Sequence, residues 1–345
     1  MNFFTRYYLL IILSFFPGWV FSQTTGGASA FNFLKLPATA MLTGTGGVNV
    51  SLNNRDAGLA TNNPAMLIPE LHQEIGLTFN SFFAGSKAYH LSGIYHSQKK
   101  NITFGGSIFF VDHGNIPETD AAGNQSGSFH PREFLIQASA SNAYLKKWRY
   151  GINMKLARAA YGQFRSTAFL VDAGIMYNDS ARLLTVGLLA KNAGIQLSSF
   201  GSNPEDLPFD LQAGITKRLA KAPFGFSLTA QQMHRFRLGY NDTSFNIENG
   251  FPIQKNNFGS HFFNHLVFAA HIYLSPNLEA NIGYNRLRRA ELNAGSNGNG
   301  INGFSAGVKT RFKKVQFQFA RAWFQSNNGY NQVGIAIDLK QLSGL

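Results

Sequence analysis

The sequence predicts an all-β protein: a fourteen-stranded antiparallel transmembrane β-barrel with an N-terminal plug, or hatch, in the lumen. Three observations predict it. Segments of about 10 residues alternate apolar and polar side chains, which is the period of a strand with unlike environments on its two faces and the length that crosses a bilayer at a tilt. The chain opens on a secretory leader, and no later stretch holds the roughly 18 uninterrupted apolar residues of a membrane helix, so a spanning form must be a closed barrel. The loops sort by length: the connections at one end are short, and every long one lies at the other.

The leader is residues 1–22. Arg6 closes a short basic region, residues 7–16 are apolar, and Val20 and Ser22 are the small residues of a cleavage site before Gln23. Residues 23–73 do not alternate and form the predicted plug. They hold Gly26-Gly27, an apolar patch at Phe31, Phe33, Leu34 and Leu36, the glycines Gly44, Gly46 and Gly47, and Asn62-Asn63-Pro64-Ala65-Met66-Leu67. A barrel this wide must be filled or conduct, and the aromatic content argues against a disordered tether.

Residues 74–345 form the predicted barrel, with strands at 74–82, 88–97, 101–112, 133–141, 149–159, 168–178, 183–193, 209–219, 224–233, 266–274, 278–287, 303–312, 315–323 and 332–339. The pattern is clearest at 278–287, where Leu278, Ala280, Ile282 and Tyr284 alternate with Glu279, Asn281, Gly283 and Asn285. Turns at 98–100, 144–148, 179–182, 220–223, 275–277 and 313–314 are short, whereas 112–132, 194–208, 234–265 and 288–302 are long. Bacterial barrels keep short turns in the periplasm and long loops outside, which predicts an outer-membrane protein with a periplasmic N-terminus. Tyr144, Trp148, Tyr177, Tyr273 and Trp323 lie near strand ends, as girdle residues do.

Composition narrows the function. The absence of Cys excludes thiol chemistry and a disulfide scaffold. The formal charge of +13 suits anionic head groups, including lipopolysaccharide, or an acidic partner, and the exported strand pattern argues against nucleic acid. No catalytic, cofactor or metal site is expected. Gly303-Phe304-Ser305-Ala306-Gly307 matches a nucleophile elbow but falls inside an alternating strand, without the strand–turn–helix that chemistry requires. His90 and His96, and His261 and His265, have no acidic partner at ligand spacing and no predicted helix. Gly44-Thr45-Gly46-Gly47 lacks the Lys and flanking elements of a phosphate loop, and close packing of the plug on the wall explains it better.

Three features carry functional expectations. The loop 234–265 holds Phe236, Tyr240, Phe245, Phe251 and Phe258, which fit a partner surface or a loop packed on its own rings. Gly105-Gly106 falls in mid-strand, and marks either a lateral opening in the wall or simply room for the plug, the latter favoured. Glu279 and Arg311, on neighbouring strands, are expected to form an ion pair in the lumen.

The run from Gly27 to Ala40, with Phe31, Phe33, Leu34 and Pro37, followed by Gly46-Gly47-Val48, Asp56 and Asn63-Pro64-Ala65, resembles the opening of the PorQ family of type IX secretion outer-membrane proteins. That family belongs to a wider group with the fatty-acid transporter FadL and with PorV, which shares the Asn-Pro-Ala element. Met41-Leu42-Thr43 departs from the pattern, and the terminal Leu345 is not the aromatic that ends many barrels. The resemblance implies a fourteen-stranded barrel with an N-terminal hatch. It also implies a non-enzymatic anchor for a PorZ-like surface protein beside a PorU/PorV-type attachment complex, whose sortase joins cargo to lipopolysaccharide. The FadL side of it implies an alternative, a transporter of small hydrophobic molecules, for which a kinked third strand would open the wall.

Overall fold

The computed structural model describes residues 29–52, 54–82, 85–236, 238, 258–292, 300–325 and 328–341. Its strands are β1 (Glu74–Ser81), β2 (Lys87–Ser97), β3 (Ile102–Asp112), β4 (Ile116–Thr119), β5 (Gln125–Phe129), β6 (Arg132–Tyr144), β7 (Trp148–Tyr161) and β8 (Phe164–Asp179). They continue with β9 (Leu184–Ser198), β10 (Asp210–Arg218), β11 (Phe224–Ala230), β12 (Leu266–Ser275), β13 (Leu278–Asn285), β14 (Phe304–Phe312), β15 (Val315–Gln325) and β16 (Asn328–Asp338). All but β4 and β5 close into one antiparallel barrel of fourteen strands, with β1 sealed against β16 from Glu74↔Asp338 to Ser81↔Asn331. Closure satisfies every strand edge, which a lipid environment demands.

The alternation is realised as inside and outside. On β13, Ile282 is 50% exposed and faces outward, while Glu279, Asn281 and Asn285 are buried in the lumen. The core of this protein is therefore the lumen, and the apolar outer belt meets lipid.

The structure extends the predicted outline in three places. Strands β6 to β9 are 13 to 16 residues long, and β7 and β8 are joined through Gly162, at φ 60°, and Gln163. Beyond the bilayer either face of a strand can be polar, so pairing continues where the alternation no longer reports it. Within the loop predicted at 112–132, β4 and β5 form a separate two-stranded sheet. Two helices cap the long-loop end: α3 (Phe258–Asn264), where no helix was expected, and α4 (Arg286–Leu292), which truncates the predicted strand 278–287.

Residues 30–72 lie in the lumen as short pieces. Helix α1 is Ala40–Gly44, helix α2 is Ala57–Asn62, and three 3₁₀ turns cover Asn32–Lys35, Pro64–Met66 and Pro69–Leu71. Helices this brief do not hold themselves together. Side-chain caps and the wall hold them: Thr39 Oγ1 accepts from Leu42 N at 3.2 Å, and Asp56 Oδ1 accepts from Gly58 N at 2.8 Å. The first described residues sit at the long-loop end, where Ala30 N donates to Asp206 O at 2.9 Å and Phe31 packs near Phe200. The N-terminus expected on the short-turn side, at Gln23, lies outside the described residues. Strand alternation locates only the start of β1, and residues 30–72 thread the lumen from one end to the other.

Candidate functional site

The contact of residues 30–72 with the inner wall is the part of the molecule with the most built chemistry. Asn63, 0% exposed, does two jobs. Its Oδ1 caps the turn at Pro64–Met66 by accepting from Ala65 N at 3.1 Å, and its Nδ2 donates to Val50 O at 2.9 Å. Pro64 occupies the first position of that turn, where its missing N–H costs nothing. Ala65 is fully buried, and Pro37 O accepts from Gln332 Nε2 at 3.2 Å. At the long-loop end Phe31, Phe33 and Leu34 enter an apolar cluster with Phe109, Leu135 and Leu170, and Phe33 stacks on Phe109 with centroids 6.2 Å apart. The residues of the family resemblance are thus the residues that seat the segment in the barrel.

The wall is notched to receive it. Inward-facing Gly151 of β7 lies against the Pro64 carbonyl, where an added Cβ would come within 2.6 Å. A Cβ on Gly174, Gly187 or Gly283 would overlap Asn63, the Val50 carbonyl or Gly46 N, respectively. Gly44-Thr45-Gly46-Gly47 is therefore close-packed backbone, as its sequence suggested. Polar side chains of the wall complete the seal. Gln318 accepts from Met41 N at 3.3 Å and donates to Asp56 Oδ2 at 2.7 Å. Gln137 and Asn153 donate to Thr61 O at 3.0 and 3.2 Å, and Ser51 Oγ meets Thr216 Oγ1 at 2.8 Å. Ser305 is buried; its Oγ accepts from Gly46 N at 3.0 Å and donates to Gly44 O at 3.2 Å. The hydrolase-like serine is a structural tie.

Glu279 and Arg311 both face the lumen, but they do not pair. Glu279 is held by Lys309 at 2.9 Å, Asn54 at 3.1 Å and His271 at 3.3 Å. Arg311 reaches Glu74 at 3.4 Å and Gln316 at 2.7 Å. The register explains the correction: Glu279 is directly opposite Lys309 on β14, whereas Arg311 is two residues further along. Arg55, from the lumen segment, bridges the same network at 2.7 Å from Asp338. A second buried pair, Lys155–Asp172 at 2.5 Å, sits at the β8–β9 irregularity, where Asn192 takes φ 58° and its N–H donates to Asp172 at 2.7 Å.

At Gly105-Gly106 the backbone pairing is continuous on both sides. The β2–β3 register runs unbroken from Lys87↔Asp112 to Ser97↔Ile102, and β3–β6 is continuous through Gly105↔Ser139 and Gly106↔Ala138. Gly105 faces inward, where a Cβ would stand 3.0 Å from Leu67 Cδ2, while Gly106 faces open space. Gly105 makes room for the lumen segment, and the ladder there stays whole.

At the long-loop rim, Phe236 and Phe258 are 45% and 73% exposed, with ring centroids 5.4 Å apart. Phe262 and Phe263, on α3, are about half exposed. The rings partly pack on each other and still present an aromatic surface. Tyr240, Phe245 and Phe251 lie outside the described residues. Both ring nitrogens of His265 are engaged, with Gln231 O at 2.8 Å and Phe236 O at 3.2 Å. No group of three or more His, Asp or Glu suited to a metal occurs among the described residues. Across the rim, His113 Nε2 meets Glu133 at 3.0 Å and His130 Nε2 meets Asp112 at 2.5 Å, so the β4–β5 hairpin is clasped at both roots. The hydrogen bond to Glu133 raises the His113 pKa above its usual value. No sequence motif marked this clasp, because its pairs are set by the folding-back of residues 113–131.

No family model matches the sequence, and a search of the curated proteins finds no match. Among solved structures, the CymD monoaromatic hydrocarbon channel is 13% identical, with 89% of this chain and 97% of that one covered and a TM-score of 0.50. A deltaS2 mutant of the TodX monoaromatic hydrocarbon channel is 11% identical, covering 88% and 98%, with a TM-score of 0.50. A Pseudomonas aeruginosa FadL homologue is 10% identical, covering 87% and 98%, with a TM-score of 0.46. At these identities the likeness concerns the fold, which is that of fourteen-stranded outer-membrane barrels.

Proposed function

We propose that this protein is a closed outer-membrane barrel that anchors a partner protein at the cell surface. One observation carries the reading: residues 30–72 are hydrogen-bonded inside the lumen to strands around its circumference, while the wall ladder at Gly105-Gly106 is complete. A lumen crossed by such hydrogen bonds, beside a complete ladder at Gly105-Gly106, suits holding a partner better than passing a molecule. Long loops with exposed Phe236 and Phe258 supply a surface of the kind that anchors partners. In this reading the short turns are periplasmic and the long loops extracellular. The finer identity, a PorQ-type component that holds a PorZ-like protein near a PorU/PorV-type sortase complex, rests on the resemblance of the lumen segment alone.

A second reading, transport of small hydrophobic molecules, is favoured by the solved structures of similar fold, two of which are hydrocarbon channels. The comparisons lean toward it, and nothing in them bears on type IX secretion. One experiment separates the two. Residues 241–255 are shortened, and outer membranes with intact or shortened protein are assayed for surface proteins co-purified after solubilisation and for toluene uptake. Anchoring requires a surface protein that is lost with the shortened loop while the barrel remains inserted. Protein-dependent toluene uptake with no such partner would sink it in favour of transport.

A further inference from the structure

The outer wall between β10 and β13 carries a depression lined, among the described residues, by strand side chains alone. On this face Ala270 of β12 is paired with Phe226 of β11 on one side and Ile282 of β13 on the other. Phe268, two residues along the same strand and thus on the same face, is paired with Tyr284. One small side chain among large neighbours leaves a notch. Its volume is about 430 Å³, within the roughly 300–1,000 Å³ of small-ligand sites.

The one charged residue lining the notch is Lys217, exposed near the short-turn end of β10. Its Nζ donates to the carbonyl of Arg182, whose own side chain is 78% exposed. The nearest acid, Asp179, is 4.0 Å from Arg182 Nε but already held by Lys147 at 2.7 Å. The exposed Leu219 and Phe224 flank the same turn, as side chains at head-group level do. An apolar notch on a lipid-facing wall is filled by lipid, and a cationic end selects an anionic head group.

We propose that the notch is a specific site for one anionic glycerophospholipid of the short-turn leaflet, an acyl chain lying over Ala270 and the phosphate meeting Lys217 and Arg182. The site is independent of whether the protein anchors or transports. The test is native mass spectrometry of the full barrel, extracted in mild detergent and titrated with phosphatidylglycerol or phosphatidylethanolamine. Wild-type protein should retain phosphatidylglycerol about tenfold better, the order expected of a basic pair at the membrane surface. Lys217→Gln should erase that preference, Ala270→Phe should abolish retention of both lipids, and Lys100→Gln, on another short turn, should change nothing. Heat-modifiable gel migration verifies that each barrel is closed. If Ala270→Phe fails to close, Ala270→Leu and Lys217→Gln decide. Equal retention of the two lipids by wild type, a preference that survives Lys217→Gln, or lipid A bound in place of phospholipid would each overturn the proposal.

Discussion

Single residues in the lumen carry two kinds of work, close approach and charge neutralisation. Gly283 illustrates the first: its Cα lies against Gly46 N, and any Cβ would overlap it. Gly283→Val should therefore unseat the Gly44–Gly47 stretch while leaving the ladder of β13 intact. The measurement is planar-bilayer conductance, which should rise above that of wild type; an unchanged trace would mean that the contact does not hold the seal. Glu279 illustrates the second. Lys309→Met leaves this carboxylate with only Asn54 and His271, and should cost about 3 kcal/mol, near the low end for a broken buried pair. Double-mutant cycles by urea unfolding in lipid should find coupling for Glu279–Lys309 above ~1 kcal/mol and for Glu279–Arg311 within ~0.5 kcal/mol. The reverse ranking would restore the pairing expected from sequence. That expectation identified two lumenal charges correctly but misjudged register by two residues, because alternation assigns a face and leaves the offset between strands open.

At the scale of elements, the β4–β5 hairpin is tethered by His113–Glu133 and His130–Asp112. The His113 pKa is raised, first by its hydrogen bond to Glu133. The stabilisation this confers is fully present below the unfolded value of about 6.5 and is lost as pH rises through the higher folded value. Hydrogen exchange over 113–131, corrected for intrinsic rates, should thus show protection falling as pH rises above about 6.5 in wild type and a flat profile in His113→Asn. Identical profiles would show that this pair does not hold the hairpin. The hairpin itself was not legible beforehand: residues 116–119 and 125–129 are almost wholly exposed, so no apolar period marks them. Helix α3 escaped for a related reason. Its phenylalanines read as a sticky loop, and in the fold α3 packs on α4, a contact with no local sequence signal.

On the scale of the whole molecule, the barrel closes on its own strands, and the lumen segment contacts it from within. Every barrel strand is paired on both sides without help from residues 29–72. Removing 29–72 while keeping residues 1–28 should give a barrel that still shifts on a heat-modifiable gel and conducts ions freely, whereas the intact chain should hold a low, steady baseline. An intact chain that conducts as well as the truncated one would mean that the lumen is open and would favour the transport reading.

The sequence by itself determined the strand number, the inside and outside faces, the sorting of short turns from long loops, and the existence of a non-alternating segment before β1. All of these follow from local periodicity, because a bilayer and a polar lumen impose opposite chemistry on successive residues. Only the tertiary structure decided where that segment runs, which charges meet, and whether the wall at Gly105-Gly106 is open. Each depends on register and on contacts between residues distant in sequence, from Glu279–Lys309 and Gly105–Leu67 to Thr39–Thr45 against β13 to β16, more than two hundred positions away. A glycine in a strand reads alike as a gate or as a socket until the atom opposite it is known, and for Gly105 that atom is Leu67 Cδ2.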